Sequence, residues 1–197
     1  MAATPPFSAR PSRRRVAALA AVALTALAGW AARHVAVVPD DEMAPTLMAG
    51  DLAWIVDGPL FAGDVVSIVD PLDPSRFTFR RVESTGGAIR YAQGVFLTGT
   101  TPRVREMGEL PDPTGRGPGW KVRQEADHLV RHRAREVRSD MEVRTVPDDA
   151  VFLGADARDD ALDSRWWGPL PRGAVQGRAA FRVGPPRHRW RGWFGRP

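Results

Sequence analysis

The sequence predicts a mainly β fold, a twisted sheet or barrel, carried behind one N-terminal transmembrane helix. Three observations lead there. The 197 residues include 18 Pro and 19 Gly, a composition that suits turns and short strands better than a helical bundle. Beyond Pro39 the chain alternates short apolar, β-branched runs with Pro- and Gly-containing breaks, the pattern of a β domain. Ahead of that point no acid occurs, Asp40 being the first, and a long uncharged run fills most of the interval. The length suffices for one moderate core with appendages rather than two full domains.

Residues 1–15 form a basic tail or transit-like segment carrying Arg10, Arg13, Arg14 and Arg15. Residues 16–30 are uncharged, which is short of the roughly 20 residues that cross a bilayer. Extension through Arg33 and His34, whose side chains can reach the interface, makes 16–38 a transmembrane anchor of sufficient length. A cleaved secretory signal and an organelle transit peptide are the competing readings; the flanking arginines favour an anchor with its N-terminus inside. A buried core helix is disfavoured because the run is apolar on every face.

The β domain is assigned to residues 39–183, with strands expected at 52–56, 65–69, 77–82, 88–92, 95–98, 151–153 and 179–183. A divergent insertion occupies about 88–145. Within it 120–143 lacks Gly and Pro and reads as an inserted amphipathic helix, with Val122, Ala126, Leu129, Val130, Ala134 and Val137 near one stripe. Residues 184–197 form a basic aromatic tail suited to an anionic membrane surface, to a partner, or to a disordered terminus.

The net charge is +5, and Lys121 is the only lysine among 28 basic residues. The arginines are interspersed with acids after Asp40, without the aromatic interleaving of a nucleic-acid surface, so no nucleic acid is expected. Absence of cysteine removes disulfides, thiolate nucleophiles and Cys-based metal sites. His128 and His132 stand at i, i+4 but lack the glutamate of a zinc-protease motif, and read as a solvated helix face. Asp156, Asp159, Asp160 and Asp163 lie among arginines and read as ion pairs rather than a cation site. No cofactor and no metal are expected.

Three segments carry a resemblance: MAPTL at 43–47, GDVVSIVDPLDPSRFTFRRV at 63–82 and VPDDAVFLGADARDDALDSRWWGPLP at 146–171. In order and spacing they resemble the type I signal peptidase family, peptidase family S26, over about half the chain. GDVVSIVDPLDP and the ending VGPPRHRW are most similar to the second subunit of the mitochondrial inner membrane peptidase, and short bacterial members look alike. The resemblance implies a serine nucleophile whose proton is taken by a neutral lysine, because a hydroxyl is a poor nucleophile until a base removes its proton.

On that alignment the family serine falls on Glu42, the lysine on Arg80 and the supporting serine on Ala161. Met43, Pro45, Thr46, Gly63, Asp64, Arg81, Asp156, Arg158, Asp163, Ser164 and Arg165 match the family motifs, while Ala155 replaces a glycine. Glutamate has no hydroxyl and an arginine guanidinium does not give up its proton, so neither can take the original role. No serine lies between Ser12 and Ser67, and Thr46 reads as a structural hydroxyl. Glu42 and Arg80 are expected to meet as a two-pronged ion pair that plugs the old site; two exposed charges drifting apart is the other reading.

The implied function is a catalytically inactive, membrane-anchored signal peptidase homologue, a structural or regulatory subunit of a membrane complex. The mitochondrial likeness implies the inner membrane, with the β domain facing the intermembrane space; the alternative is a bacterial plasma membrane, facing outward. The expected protein partner is an active peptidase paralogue or a larger membrane complex, contacted through residues 88–145. The alternatives are an active mitochondrial or bacterial signal peptidase subunit processing presequences, and a structural subunit of an unrelated assembly reusing only the fold.

Overall fold

The structure, a computed structural model, describes residues 13–99, 103–110, 119–133 and 140–183. The expected tails at 1–12 and 184–197 lie outside the described residues. The chain divides into two units, one ending at Val35 and one beginning at Ala36.

The first unit is helix α1 (Arg13–His34), long and apolar enough to cross a membrane and with no buried residue. Its 22 residues rise about 33 Å at 1.5 Å each, enough for a hydrocarbon core of roughly 30 Å. This suits a membrane anchor and equally a signal sequence. His34 closes the helix by bonding Trp30 O at 2.8 Å through Nδ1. The helix begins three residues earlier than the expected span and stops four short of it: from Val35 the chain is extended, as its β-branched composition favours.

The second unit is a β domain. Strands β1 (Val35–Val37), β2 (Leu52–Val56), β3 (Val65–Asp70), β4 (Asp73–Ser84), β5 (Gly87–Ala92) and β6 (Val95–Leu97) come first. They are followed by β7 (Val104–Leu110), β8 (Trp120–Glu125), β9 (His128–Arg133), β10 (Met141–Val146) and β11 (Ala150–Gly154). A four-residue helix α2 (Ser164–Trp167), β12 (Leu170–Pro171) and β13 (Val175–Val183) complete it. One seven-stranded sheet runs β1-β2-β13-β3-β4-β11-β12, and two three-stranded sheets run β10-β5-β6 and β7-β8-β9.

The large sheet is covered on both sides, which is why its central strands read as continuous apolar runs. Val65 and Phe79 pack with Val38, Met43, Leu47 and Ala53 in one cluster, while Val66, Ile68 and Val82 pack with Val151 and Leu153 in another. A third cluster of Ile89, Tyr91, Phe96, Val146 and Phe152 joins the β10-β5-β6 sheet to β11.

Each expected strand is present, within a few residues at its ends. The amphipathic helix over 120–143 is not: β8 and β9 form a hairpin in register Glu125↔His128 through Trp120↔Arg133, and 141–143 belongs to β10. Residues 134–139, with Ala134 and Val137 of the supposed stripe, lie outside the described residues. The hairpin turns on Ala126 and Asp127, with Ala126 at φ +51°. A two-residue hairpin loop needs such a positive φ and usually takes it from Gly or Asn, so the turn carries no sequence signal. The charged residues between Val122 and Val130 fit a helix face and a strand pair alike.

Gly154 in β11 shows how tightly this domain closes. A Cβ there would stand 2.5 Å from Arg158 Nη1, 2.5 Å from Glu83 Oε1 and 2.7 Å from Phe96. Gly154→Ala is therefore expected to destabilise the domain by about 1–3 kcal/mol, as overpacking does, measured by chemical denaturation of the detergent-solubilised chain.

Candidate functional site

Glu42 sits in a turn whose shape is set by aspartates. Asp40 Oδ1 accepts the Glu42 N–H at 3.0 Å, Asp41 Oδ1 accepts that of Ala49 at 2.9 Å, and Asp51 Oδ2 accepts that of Met48 at 3.0 Å. Short polar side chains bonding backbone close by favour turns over regular structure. Met43, fully buried, anchors the turn in the core, and Pro45 follows a cis peptide bond.

From this turn Glu42 reaches β4. Arg80 Nη2 lies 2.6 Å from Glu42 Oε2, with the Arg80 side chain 2% exposed and that of Glu42 22%. The contact is one-pronged, not the expected two-pronged fork. The other Arg80 donors are occupied, Nε and Nη2 by Leu162 O at 3.1 and 2.8 Å, Nη1 by Thr78 Oγ1 and Phe79 O at 2.6 Å each. The Thr78 hydroxyl donates to Glu42 Oε2 at 3.3 Å. Arg76, which bonds Asp40 at 2.6 Å, stands 3.8 Å from Glu42 Oε1. Ala161 presents only a methyl group and is buried.

Arg81 points to the opposite side of β4, as alternation requires. It forks onto Asp156, Nε to Oδ1 at 2.8 Å and Nη2 to Oδ2 at 2.6 Å, and donates to Gly63 O at 2.6 Å. Thr46 bridges the two, donating to Asp156 Oδ2 and accepting from Arg81 Nη2. Asp64 receives the Phe61 N–H at 2.9 Å, closing the turn that presents Gly63.

The segment 155–165 supplies the remaining partners. Asp163 Oδ2 accepts the Ala155 N–H at 3.0 Å, Ser164 Oγ that of Leu153 at 2.9 Å, and Arg165 Nε holds Asp163 at 2.8 Å. Arg158 is wholly buried, pairing Glu83 at 2.7 Å and Glu125 at 2.9 Å over the Phe96 ring. Its burial opposes the charge, but the two carboxylates more than compensate and hold its pKa above the ordinary arginine value. The backbone joins these parts: Ala157 donates to Glu42 O at 2.9 Å, and Arg131 N and Arg158 N exchange bonds with Asp156 O and Arg131 O.

Glu83 and Glu125 contribute without any motif to announce them, being separate carboxylates recognisable only once their strands are aligned; Thr78 lies unmarked inside the 63–82 segment, and His132 reads in the sequence only as part of a helix face. His132 is fully buried on β9, 3.9 Å from Glu125 Oε1 and 3.7 Å from Asp159 Oδ2. This overturns the solvated helix face expected for His128 and His132, because the segment is a strand with one side against the segment 155–165. Asp159 and Asp160 engage β9, accepting from Arg133 N at 2.7 Å and Arg133 Nε at 2.8 Å. Among the described residues no group of three or more His, Asp or Glu is placed to hold a metal.

A cleft of about 850 Å³ opens beside the pair, and its lining includes Glu42, Ala161 and Leu162, Asp140 through Arg144, and Arg165 and Trp166. Lys121 is not part of it: it lies on β8, 3.9 Å from Glu109.

Two expectations follow for the buried charges. Asp156→Ala strands Arg81 in the interior and is expected to cost about 3–5 kcal/mol, read from equilibrium unfolding. Burial raises the Glu125 carboxyl, but Arg158 beside it prevails and brings the pKa down from 4.5 to about 2. A depressed carboxyl stabilises the fold above its unfolded value, and that contribution is lost as pH falls through the folded one. Stability should therefore decline from about pH 4.5 toward pH 2, and Glu125→Gln, less stable at neutral pH, should show a flatter decline in thermal melts across that range.

Residues 13–184 match the family model described as "Signal peptidase, peptidase S26". Among solved structures, the crystal structure of a signal peptidase I from Enterococcus faecalis V583 is similar at 16% identity, covering 62% of this chain and 98% of that one, with a TM-score of 0.35. With the family model spanning both the apolar helix and the whole described β domain, the chain belongs to the signal peptidase family, peptidase S26.

Proposed function

We propose that this chain is a non-catalytic, membrane-anchored signal peptidase homologue that serves as a structural or regulatory subunit of a membrane complex, beside an active peptidase paralogue. The observation that carries this reading is the 2.6 Å ion pair of Glu42 with Arg80 at the two positions where the motif resemblance would put nucleophile and base. A carboxylate offers no hydroxyl, and a guanidinium cannot serve as the neutral base. The methyl of Ala161 cannot orient a base. The sole lysine is on another sheet, and Ser67 is buried within β3.

The mitochondrial inner membrane, with the β domain in the intermembrane space, is the location we assign. The wording of GDVVSIVDPLDP and VGPPRHRW and the acid-free, arginine-rich residues 1–15 support it. A bacterial plasma membrane, with the domain outside, is the alternative.

A second reading rests on Thr78, whose hydroxyl contacts the Glu42 carboxylate at 3.3 Å: an active peptidase with threonine as nucleophile and glutamate as base. Arg80 weighs against it, because the same carboxylate oxygen is engaged by Nη2 and the same hydroxyl oxygen accepts from Nη1. Both groups are thus already committed to the guanidinium rather than to each other.

The test is cleavage of a presequence peptide by the full-length chain in detergent. No turnover is expected from the wild type or from Glu42→Ser alone, and measurable turnover from the combined Glu42→Ser, Arg80→Lys and Ala161→Ser variant. Wild-type turnover abolished by Glu42→Ala or Thr78→Ala contradicts the proposal.

A further inference from the structure

We propose that the cleft beside Glu42 retains a docking surface for an extended basic peptide segment of another protein, formed by the β10 edge and Trp166 rather than by the plugged site. β10 pairs with β5 on one side only and ends its sheet. A regular strand turns successive side chains to opposite faces, yet all of Asp140 through Arg144 line the cleft. Two features account for this. The strand is at the edge of its sheet, and a register break between Met141 and Arg144 takes Glu142 and Val143 out of the ladder. An edge so placed offers backbone groups to an incoming extended segment, with neighbouring side chains to select it.

Apolar side chains frame this edge. Trp166 is 70% exposed, Val143 64% and Leu162 43%, and all three line the one cleft. Exposed apolar groups gathered at a concave surface mark interaction sites, whereas scattered ones do not.

Charge selects the occupant. The lining has five carboxylates against three guanidiniums, in a chain of net charge +5. Two of the guanidiniums are already committed, Arg158 to Glu83 and Glu125 and Arg165 to Asp163, as are three of the carboxylates, Glu42 to Arg80, Asp160 to Arg131 and Arg133, and Asp159 to the Arg133 N–H, which leaves Asp140 and Glu142 against Arg144. At the rim Asp140 and Glu142 are exposed, and no ion pair to either is present among the described residues. An arginine or lysine flanked by apolar side chains complements this rim, and an acidic segment is repelled.

The inference deepens the non-catalytic reading and rests on it only in that the bound peptide stays intact. The test is fluorescence anisotropy of a labelled Arg/Leu peptide, and of its Glu/Leu counterpart, titrated with the full chain in detergent, followed by mass analysis of the peptide. The basic peptide is expected to bind, more weakly as salt rises, and the acidic one at least about tenfold more weakly. Trp166→Ala and Glu142→Lys, both at exposed positions, are each expected to lower affinity by about tenfold or more, with unfolding midpoints unchanged as the folding control. Equal binding of the two peptides, no binding of either, or full affinity in both variants overturns the docking surface. Binding followed by cleavage leaves the surface standing and overturns the non-catalytic reading instead.

Discussion

Buried guanidiniums must be paired, and this constraint organises the β domain. Arg80 and Arg81 are consecutive on β4, so their side chains leave the strand on opposite faces, and both are buried. Each requires its own carboxylate, which it finds in Glu42 and Asp156. Arg158 adds a third buried cation between Glu83 and Glu125. An unpaired charge in such surroundings costs several kcal/mol. The turn around Glu42, strand β4, the β8-β9 hairpin and the segment 155–165 are thereby obliged to stay together. Backbone bonds from Ala157 to Glu42 and between Arg131 and Arg158 run alongside these pairs, so polar geometry and chain geometry agree.

On the proposed reading, the same juxtaposition has changed its chemistry without changing its shape. A hydroxyl beside a neutral amine is a reactive arrangement because the amine can take the hydroxyl proton. A carboxylate beside a guanidinium is a satisfied one. Leu162 O, Phe79 O and Thr78 take the remaining Arg80 donors, leaving the cation no free proton donor to offer a substrate. The residues that carry the motif resemblance have ordered roles: Thr46 between Arg81 and Asp156, Asp163 and Ser164 as acceptors of backbone N–H groups, Arg165 on Asp163. These are scaffold contacts, and they stand independently of whether a bond is cut.

The β-rich class, the apolar helix and the strands of the large sheet were legible because β-branched runs and Pro and Gly breaks report local conformation directly. The Glu42 to Arg80 contact was legible through family alignment alone, since 37 intervening residues separate partners that spacing could never pair. The β8-β9 hairpin was not legible: its turn residue Ala126 gives no φ-positive signal, and its charges fit helical periodicity equally well. Misreading that element hid the burial of His132 and the role of Glu125. Single prong rather than fork at Arg80 was also beyond sequence, being decided by where Leu162 O lies.

The central claim is that Glu42 and Arg80 form a structural ion pair at the site of a lost dyad. A double-mutant cycle with Glu42→Gln and Arg80→Met, read from chemical unfolding of the full chain, tests it most directly. The account predicts a coupling energy of roughly 1 kcal/mol or more between the two positions. Additivity within about 0.3–0.5 kcal/mol, the behaviour of independent sites, would contradict it.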